Sequence, residues 1–424
     1  MFFVRDDEYK ETPNVFYSMI KKTFDEFNPD EVTPVDEFRV AEYERLPMFF
    51  DVCLRYLNKL AREPFIESWE MIVTEPVNYA NLLDTEVHRV TIRVKYKSES
   101  DYVDLFTVDI PKLIEGFYFK IYGIDYVPAM YLYDYPLVIR KTSFLMQGLL
   151  GNISVYMNEK EEYINFMGLS NFSFKHFVNL YFDTSDQEDM EIVNDFIHHF
   201  KPNKKPFEPV DLENSAYFFR SRYNIELSEN ETEINVIEKI RAFLDNLFFD
   251  DYTRKMYAHL YALDESEINI KNIVRDAMIG LIEDPINFVD LRYKQLFFIR
   301  LLLSKLFRRI STLGMRLVID HPEDGKSIIS FSQSSRDMIV KTFMDGDALS
   351  GNYLSDTVNT FGILKLKISL TPMGKTKSIP SESSQIHETH FGRICPITIP
   401  STDIGKVAHL VPGTKVGAFG EFIF

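Results

Sequence analysis

A chain of 424 residues can hold two or three domains and a large core. With 45% hydrophobic and 26% charged residues it is excluded from the disordered and fibrous classes. Cys53 and Cys395 are its only cysteines, which excludes a disulfide framework or a CxxC zinc pattern and fits a reducing, intracellular setting. The net charge of −17 argues, on its face, against nucleic-acid binding. The charge is uneven, however. From Phe331 onward nine basic residues face eight acidic ones, so the first 330 residues carry −18. Between Asp356 and Glu382 stand four lysines and no acid, which reads either as a solvated face or as a strip that contacts a polyanion. The opening "MFFVRDDEYK" has no apolar signal-peptide region.

In chain order, Thr12 and Pro13 suit the start of a helix, with Phe16, Met19, Ile20, Phe24 and Phe27 at helical spacing. "DVCLRYLNKLAREP" predicts a second helix, ended by Pro64. Val90, Ile92, Val94 and Tyr96 alternate with polar residues and predict a strand. The segment from Asp104 to Ile139 predicts a run of β-hairpins turning at Gly116 and Gly123. The stretch from Thr142 to Arg309 reads as an α-rich insertion. Within it "HHFKPNKKPFEPV" predicts a surface loop with His198 and His199 exposed. Ile237, Ile240, Leu244 and Leu247 share one helical face. Asp284 and Pro285 predict the start of a long buried helix carrying "LFFIRLLLSKLF", which is too short and too charged to span a bilayer. Near the end, "GILKLKISL" predicts a strand and "TPMGKTKSIPSESS" a loop.

Several short motifs fall short of the chemistry they suggest. A phosphate loop needs GxxxxGK[ST] followed by a helix. Around Gly374-Lys375-Thr376, Ser369 replaces the first glycine, and Pro380 with a run of serines replaces the helix. Asp345 and Asp347 in "MDGDALSG" read as turn residues, with no third ligand visible. His387 and His390 are three apart, whereas the metalloprotease helix H-E-x-x-H needs four. Cys395, between Ile394 and Pro396, reads as a packed thiol rather than a nucleophile.

The segment 387–405, "HETHFGRICPITIPSTDIG", resembles the stretch H-x-x-H-Y-G-R-x-C-P-I-E-T-P-E-G-x-N-I-G of the β subunits of multisubunit RNA polymerases. His387, His390, Gly392, Arg393, Cys395, Pro396, Ile397, Ile404 and Gly405 match, with Phe391 in place of the tyrosine. Three further stretches are similar to family segments in the right order. In "DIPKLIEGFYFKIYGIDYVPAMYL" the match is carried by Ile110, Pro111, Gly123, Val127 and Leu132. "FMDGDALS" looks like the segment lining the RNA–DNA hybrid. "LKISLTPMGKTKS" looks like the approach to the second fork loop, through Lys367-Ile368-Ser369 and Thr376-Lys377. The chain departs from the family at "TIPSTD", which is one residue shorter and lacks both glutamates. Asp403 replaces an asparagine, and fork arginines are lysines, which keep the charge but lose the bidentate geometry.

The resemblance implies an α+β fold of protrusion and lobe domains with a fork region. Residues 1–141 would form the first part of the protrusion and 142–325 the lobe. Residues 326–424 would hold the protrusion return, the hybrid-lining segment and the fork. It also implies a subunit of a DNA-dependent RNA polymerase. Because β subunits of the family run on for several hundred residues, the expectation is the N-terminal half of a split β of the giant-bacteriophage, non-virion type. No catalytic base and no metal ligand are expected in this chain. Mg2+ would sit on the partner β′ chain. Lys367, Lys375, Thr376 and Lys377 would face fork or hybrid phosphates, and Thr342, Asp345 and Asp403 would lie near nascent RNA. His387, His390, Arg393, Cys395 and Pro396 would form the active-centre floor, with His390 and Arg393 bracing a fold in which Phe391, Ile394 and Pro396 are buried. The expected partners are a C-terminal β chain, β′, a promoter-specificity subunit, template DNA and RNA, and no membrane. The expected location is the cytoplasm of an infected bacterial host. The alternative is a non-catalytic interaction or structural protein with a polymerase-like fold; a P-loop NTPase ranks third.

Overall fold

The computed structural model describes residues 23–74, 85–126, 130–140, 143–157, 162–201, 207–208, 210–223, 232–283, 289–320, 366–369, 385–395 and 407–424. They form a mixed α+β structure. The Thr12–Ile20 part of the first expected helix lies outside them. Phe24 stands in a 3-10 turn, Phe24–Glu26, between the extended residues Thr23 and Phe27, so the helical spacing does not carry an α-helix this far.

The strand β1 (Val32–Pro34) leads into α1 (Phe38–Glu44) and α2 (Leu46–Leu60). Helix α2 carries Pro47 in its first turn, where a missing N–H costs nothing, and ends at Leu60, four residues before Pro64. Phe49, Phe50, Cys53 and Leu57 are buried along it. The strands β2 (Ile66–Thr74), β3 (Val87–Tyr96) and β4 (Tyr102–Pro111) pair antiparallel in that order. Val90, Ile92, Val94 and Tyr96 face the core, as their alternation requires.

The expected hairpin run is present in part. The strands β5 (Phe119–Ile121) and β6 (Ile124–Tyr126) form a hairpin through Tyr122 and Gly123, at φ 50° and 72°, the left-handed pair a two-residue turn requires. The strand β7 (Met130–Asp134) leaves the run to join distant strands. A five-stranded antiparallel meander follows: β8 (Leu137–Arg140), β9 (Ser143–Gln147), β10 (Asn152–Met157), β11 (Glu162–Phe166) and β12 (Ser170–Ser173). The β8–β9 pair therefore spans the expected junction at residues 141 and 142.

Helices then take over: α3 (Phe174–Tyr181), α4 (Gln187–Phe200), α5 (Leu212–Tyr223), α6 (Glu233–Phe248), α7 (Asp251–Tyr261) and α8 (Ile270–Glu283). Ser173, Asp186, Thr232 and Asp250 cap α3, α4, α6 and α7 through their side chains. Ile237, Ile240, Leu244 and Leu247 are buried on one face of α6. His198 and His199 are not in a loop: they belong to the last turn of α4, where basic groups suit the helix dipole.

The long apolar run divides. Leu296 and Phe297 lie in the strand β13 (Lys294–Phe297), and helix α9 (Ile299–Asp320) starts only after Phe298. A buried carboxylate sets that start. Glu42 Oε2 accepts the N–H groups of Phe298 and Ile299 at 2.7 and 2.6 Å, and its Oε1 accepts Arg300 Nε at 2.6 Å. Apolar periodicity alone gives no sign of a capping group 256 residues away. The strands β14 (Leu366–Ser369), β15 (Val407–Leu410) and β16 (Lys415–Gly417) complete the order. β16 pairs with β1, and a four-stranded mixed sheet runs β13-β7-β14-β15.

Candidate functional site

The mixed sheet joins parts of the chain that are far apart in sequence. Leu132 on β7 lies opposite Leu296 on β13. On its other side β7 runs parallel to β14, with Met130 opposite Ile368 and Tyr131 opposite Ser369. β14 pairs antiparallel with β15, placing Lys367 opposite His409. The outer edge of β15 receives the motif segment. Cys395 N–H donates to the His409 carbonyl at 2.8 Å, and Val411 N–H donates to the Arg393 carbonyl at 2.7 Å. Ile394, buried, bridges Leu410.

The motif itself is a 3-10 turn, Glu388–His390, rather than a helix. Its hydrogen bonds fix both imidazoles. His390 Nε2 lies 2.7 Å from the Val289 carbonyl, which can only accept, so Nε2 carries the proton. Its Nδ1 then accepts the His387 N–H at 3.4 Å. Burial, the largest influence, together with the neighbouring His387, lowers the pKa of His390 despite the Val289 bond; the ring is held neutral. His387 Nδ1 accepts the Thr389 N–H at 3.3 Å and faces Thr389 Oγ1 at 2.9 Å. Thr389 Oγ1 accepts the buried Leu291 N–H at 3.0 Å, which leaves its own hydrogen for His387.

The surface that receives this turn is built by Asp290. Its carboxylate caps the 3-10 turn Leu291–Tyr293 through the Arg292 N–H and holds the Arg292 side chain at 2.7–3.1 Å. Burial pushes the Asp290 pKa up, but the bonds and charge of Arg292 outweigh it and set it below the ordinary carboxylate value. Gly392, at φ +73°, turns the chain back toward β15. Arg393 donates to the Ile423 carbonyl at 3.1 Å, and its guanidinium carbon lies 3.8 Å from the Phe424 ring centroid.

Of the expected site residues, the structure brings His387, His390, Arg393 and Cys395 together, with the backbone of Lys367 two strands' width away. Thr342, Asp345, Lys375, Thr376, Lys377, Pro396 and Asp403 lie outside the described residues. Phe391 is not buried: it is 71% exposed, because the turn aims it outward while Ile394 takes the inward position. Ile386, at 68%, is exposed beside it in sequence. Thr389 and Asp290 were missed by sequence reasoning. The signal was slight: a small hydroxyl residue between two histidines, and an aspartate two before an arginine. Chemically this is a brace. His390 has both ring nitrogens engaged, and His387 has its Nδ1 engaged. Among the described residues no group of three His, Cys, Asp or Glu is placed to hold a metal ion. Nor is any described helix long and apolar enough to cross a membrane. No protein-family model matches the chain, and no curated protein matches it.

Proposed function

We propose that the chain supplies the N-terminal part of the β subunit of a DNA-dependent RNA polymerase, with protrusion, lobe and fork regions. One observation carries the reading. Parts of three of the four stretches that resemble β subunits, residues 130–132, 366–369 and 387–395, meet on or against one mixed sheet. Motifs resembling one family by chance have no reason to converge across more than 250 residues of chain. In this role the braced turn is part of the floor of the active-centre cleft. Lys367, Lys375, Thr376 and Lys377 contact phosphates of the fork or hybrid, and Thr342, Asp345 and Asp403 lie beside RNA. Nucleotidyl transfer uses two Mg2+ ions, held by carboxylates of the partner β′ chain. The remainder of β, with β′, completes the cleft. The exposed Phe391 and Ile386 suit contact with such a partner.

The test is a pull-down of the tagged chain from its native cells, with mass spectrometry and a templated RNA-synthesis assay on the eluate. Co-purification of a chain continuing β and of β′, with Mg2+-dependent synthesis, is the expected result. Recovery of the chain alone and inactive would reduce the resemblance to one of fold and favour an interaction protein.

A further inference from the structure

Arg300 and Tyr252 leave two buried hydrogens without an acceptor. An arginine side chain presents five N–H donors. Glu42, Tyr252 Oη and the carbonyls of Leu296 and Phe419 take four of those on Arg300. The fifth, on Nη1, has no acceptor among the described residues. Tyr252 Oη accepts from Arg300 at 2.7 Å, and its own hydrogen has no described acceptor either. Tyr252 is 2% exposed and Arg300 6%, and donors so buried are costly to leave unpaired. Both residues line a cavity of about 160 Å3 enclosed by the β9–β10 turn, α7, the strands β7 and β13 and the start of α9. One wall is aromatic: the rings of Tyr133 and Phe297 stack at 4.8 Å between centroids, and the Arg300 guanidinium carbon lies 4.1 Å from the centroid of Phe297. Met256 and Leu301 add aliphatic surface. Gln147, half-buried, and Asn152, exposed, bring two carboxamides to the lining.

We infer that this cavity binds a small, neutral aromatic carboxamide, whose carbonyl oxygen accepts the hydrogens of Arg300 and Tyr252. Each part of the lining selects one part of that ligand. Two donor atoms 2.7 Å apart call for an acceptor oxygen. Glu42 lies against Arg300 at 2.6 Å and the charge of Glu421 also acts on it, so a carboxylate would add a third anion beside one cation. The oxygen is therefore that of a neutral carbonyl. Water alone would serve the donors but leave the rings of Tyr133 and Phe297 and the side chains of Met256 and Leu301 facing it. A ring covers that surface, and a cavity of about 150 Å3 holds one benzene ring. The side-chain oxygens of Gln147 and Asn152 suit the N–H groups of a primary amide. The inference does not rest on the polymerase reading, because every lining group belongs to this chain and neither nucleic acid nor a partner is needed.

The test is a titration of the full chain, labelled on its methionine methyls, with benzamide, followed by NMR. The Met256 methyl, assigned with Met256→Leu, should shift and saturate. Ethylbenzene, which lacks the acceptor, and benzoate, which adds a charge, should bind at least about tenfold more weakly. Leu301→Trp should fill the cavity and abolish the shift. Q147A/N152A should weaken benzamide several-fold and leave acetophenone, which has the carbonyl but no N–H, unchanged. No saturable shift of the Met256 methyl in the wild type overturns the inference and leaves the donors to water. Ethylbenzene binding as tightly as benzamide makes the cavity a purely apolar one, and a preference for benzoate makes it an anion site; either overturns the inference. Equal losses of benzamide and acetophenone in Q147A/N152A overturn the assignment to an amide. The comparison of ligands on the wild type decides the matter even if a variant fails to fold. Binding of benzamide and recovery of an RNA-synthesising complex are independent readouts, so the two readings fall separately.

Discussion

Glu42 and Arg300 form an ion pair at 2.6 Å with both side chains almost wholly inaccessible, at 1% and 6% exposure. The pair joins α1 to α9, and Arg300 extends it to Tyr252 Oη at 2.7 Å and to the Phe419 carbonyl at 2.8 Å. A buried pair of this kind costs much desolvation, so its value lies in what its loss exposes. Glu42→Ala should destabilise the chain by about 3–5 kcal/mol, because Arg300 is left charged and buried and two N–H groups lose their acceptor. Glu42→Leu combined with Arg300→Met should cost less than the two single changes added together. Urea unfolding of the four proteins measures this coupling; strictly additive losses would show that the two side chains do not depend on each other.

Asp250 should give the stability curve a distinctive pH dependence. It caps α7, accepting the Thr253 N–H at 2.9 Å and the Thr253 hydroxyl at 2.6 Å. Thr253 Oγ1 in turn accepts the Leu149 N–H from the β9–β10 turn at 2.9 Å. Burial, only partly offset by these bonds, raises the Asp250 pKa to about 6. A carboxyl with a raised folded pKa stabilises the fold fully below the unfolded value near 3.8, and that contribution is lost as pH rises through 6. The loss is about 3 kcal/mol from this residue. Asp250→Asn retains a cap and cannot ionise, so the difference in stability between wild type and variant should shift by that amount between pH 4 and pH 7. A difference that stays constant with pH would contradict the assignment.

Much of the fold was legible because burial imposes a period. The alternation of Val90 to Tyr96 and the spacing of Ile237 to Leu247 record which side faces the core. The errors occur where a distant residue decides. The start of α9 depends on Glu42, and β7 leaves its hairpin run because β13 and β14 supply its partners. At the site, the fixed residues of the motif were legible as a pattern. Their bracing by Asp290 and Val289 was not, since that surface arises from a segment about a hundred residues away. Phe391 shows the limit from the other side: an aromatic residue in an apolar-looking stretch gives no sign that a three-residue turn will present it to solvent.

Thr389 should be the keystone of the braced turn. Its hydroxyl links the Leu291 N–H to His387 Nδ1. Thr389→Val preserves shape but leaves the buried Leu291 N–H without an acceptor, at a cost of about 1–3 kcal/mol. Hydrogen–deuterium exchange should show faster exchange in residues 289–295 and 385–395, with α6 and α7 unchanged. Thr389→Ser should restore protection. Uniformly faster exchange would instead indicate general destabilisation.

Lys375 and Lys377 test the proposed function through charge rather than fold. If they face phosphates of the fork or hybrid, K375E/K377E replaces two attractions with two repulsions in a polyanion contact. Neutralising each phosphate contact accounts for about one unit of salt slope, so the double variant should reduce the salt slope of elongation-complex stability by at least about two. Assembly with the partner chains is scored alongside, so that loss of a subunit is told apart from loss of a phosphate contact. The measurement is the half-life of stalled complexes on an immobilised template across a salt series, with the recovered subunits weighed on gels. Equal half-lives at every salt concentration would remove these lysines from the nucleic-acid path and leave Lys367 as the cation of that segment still to be tested.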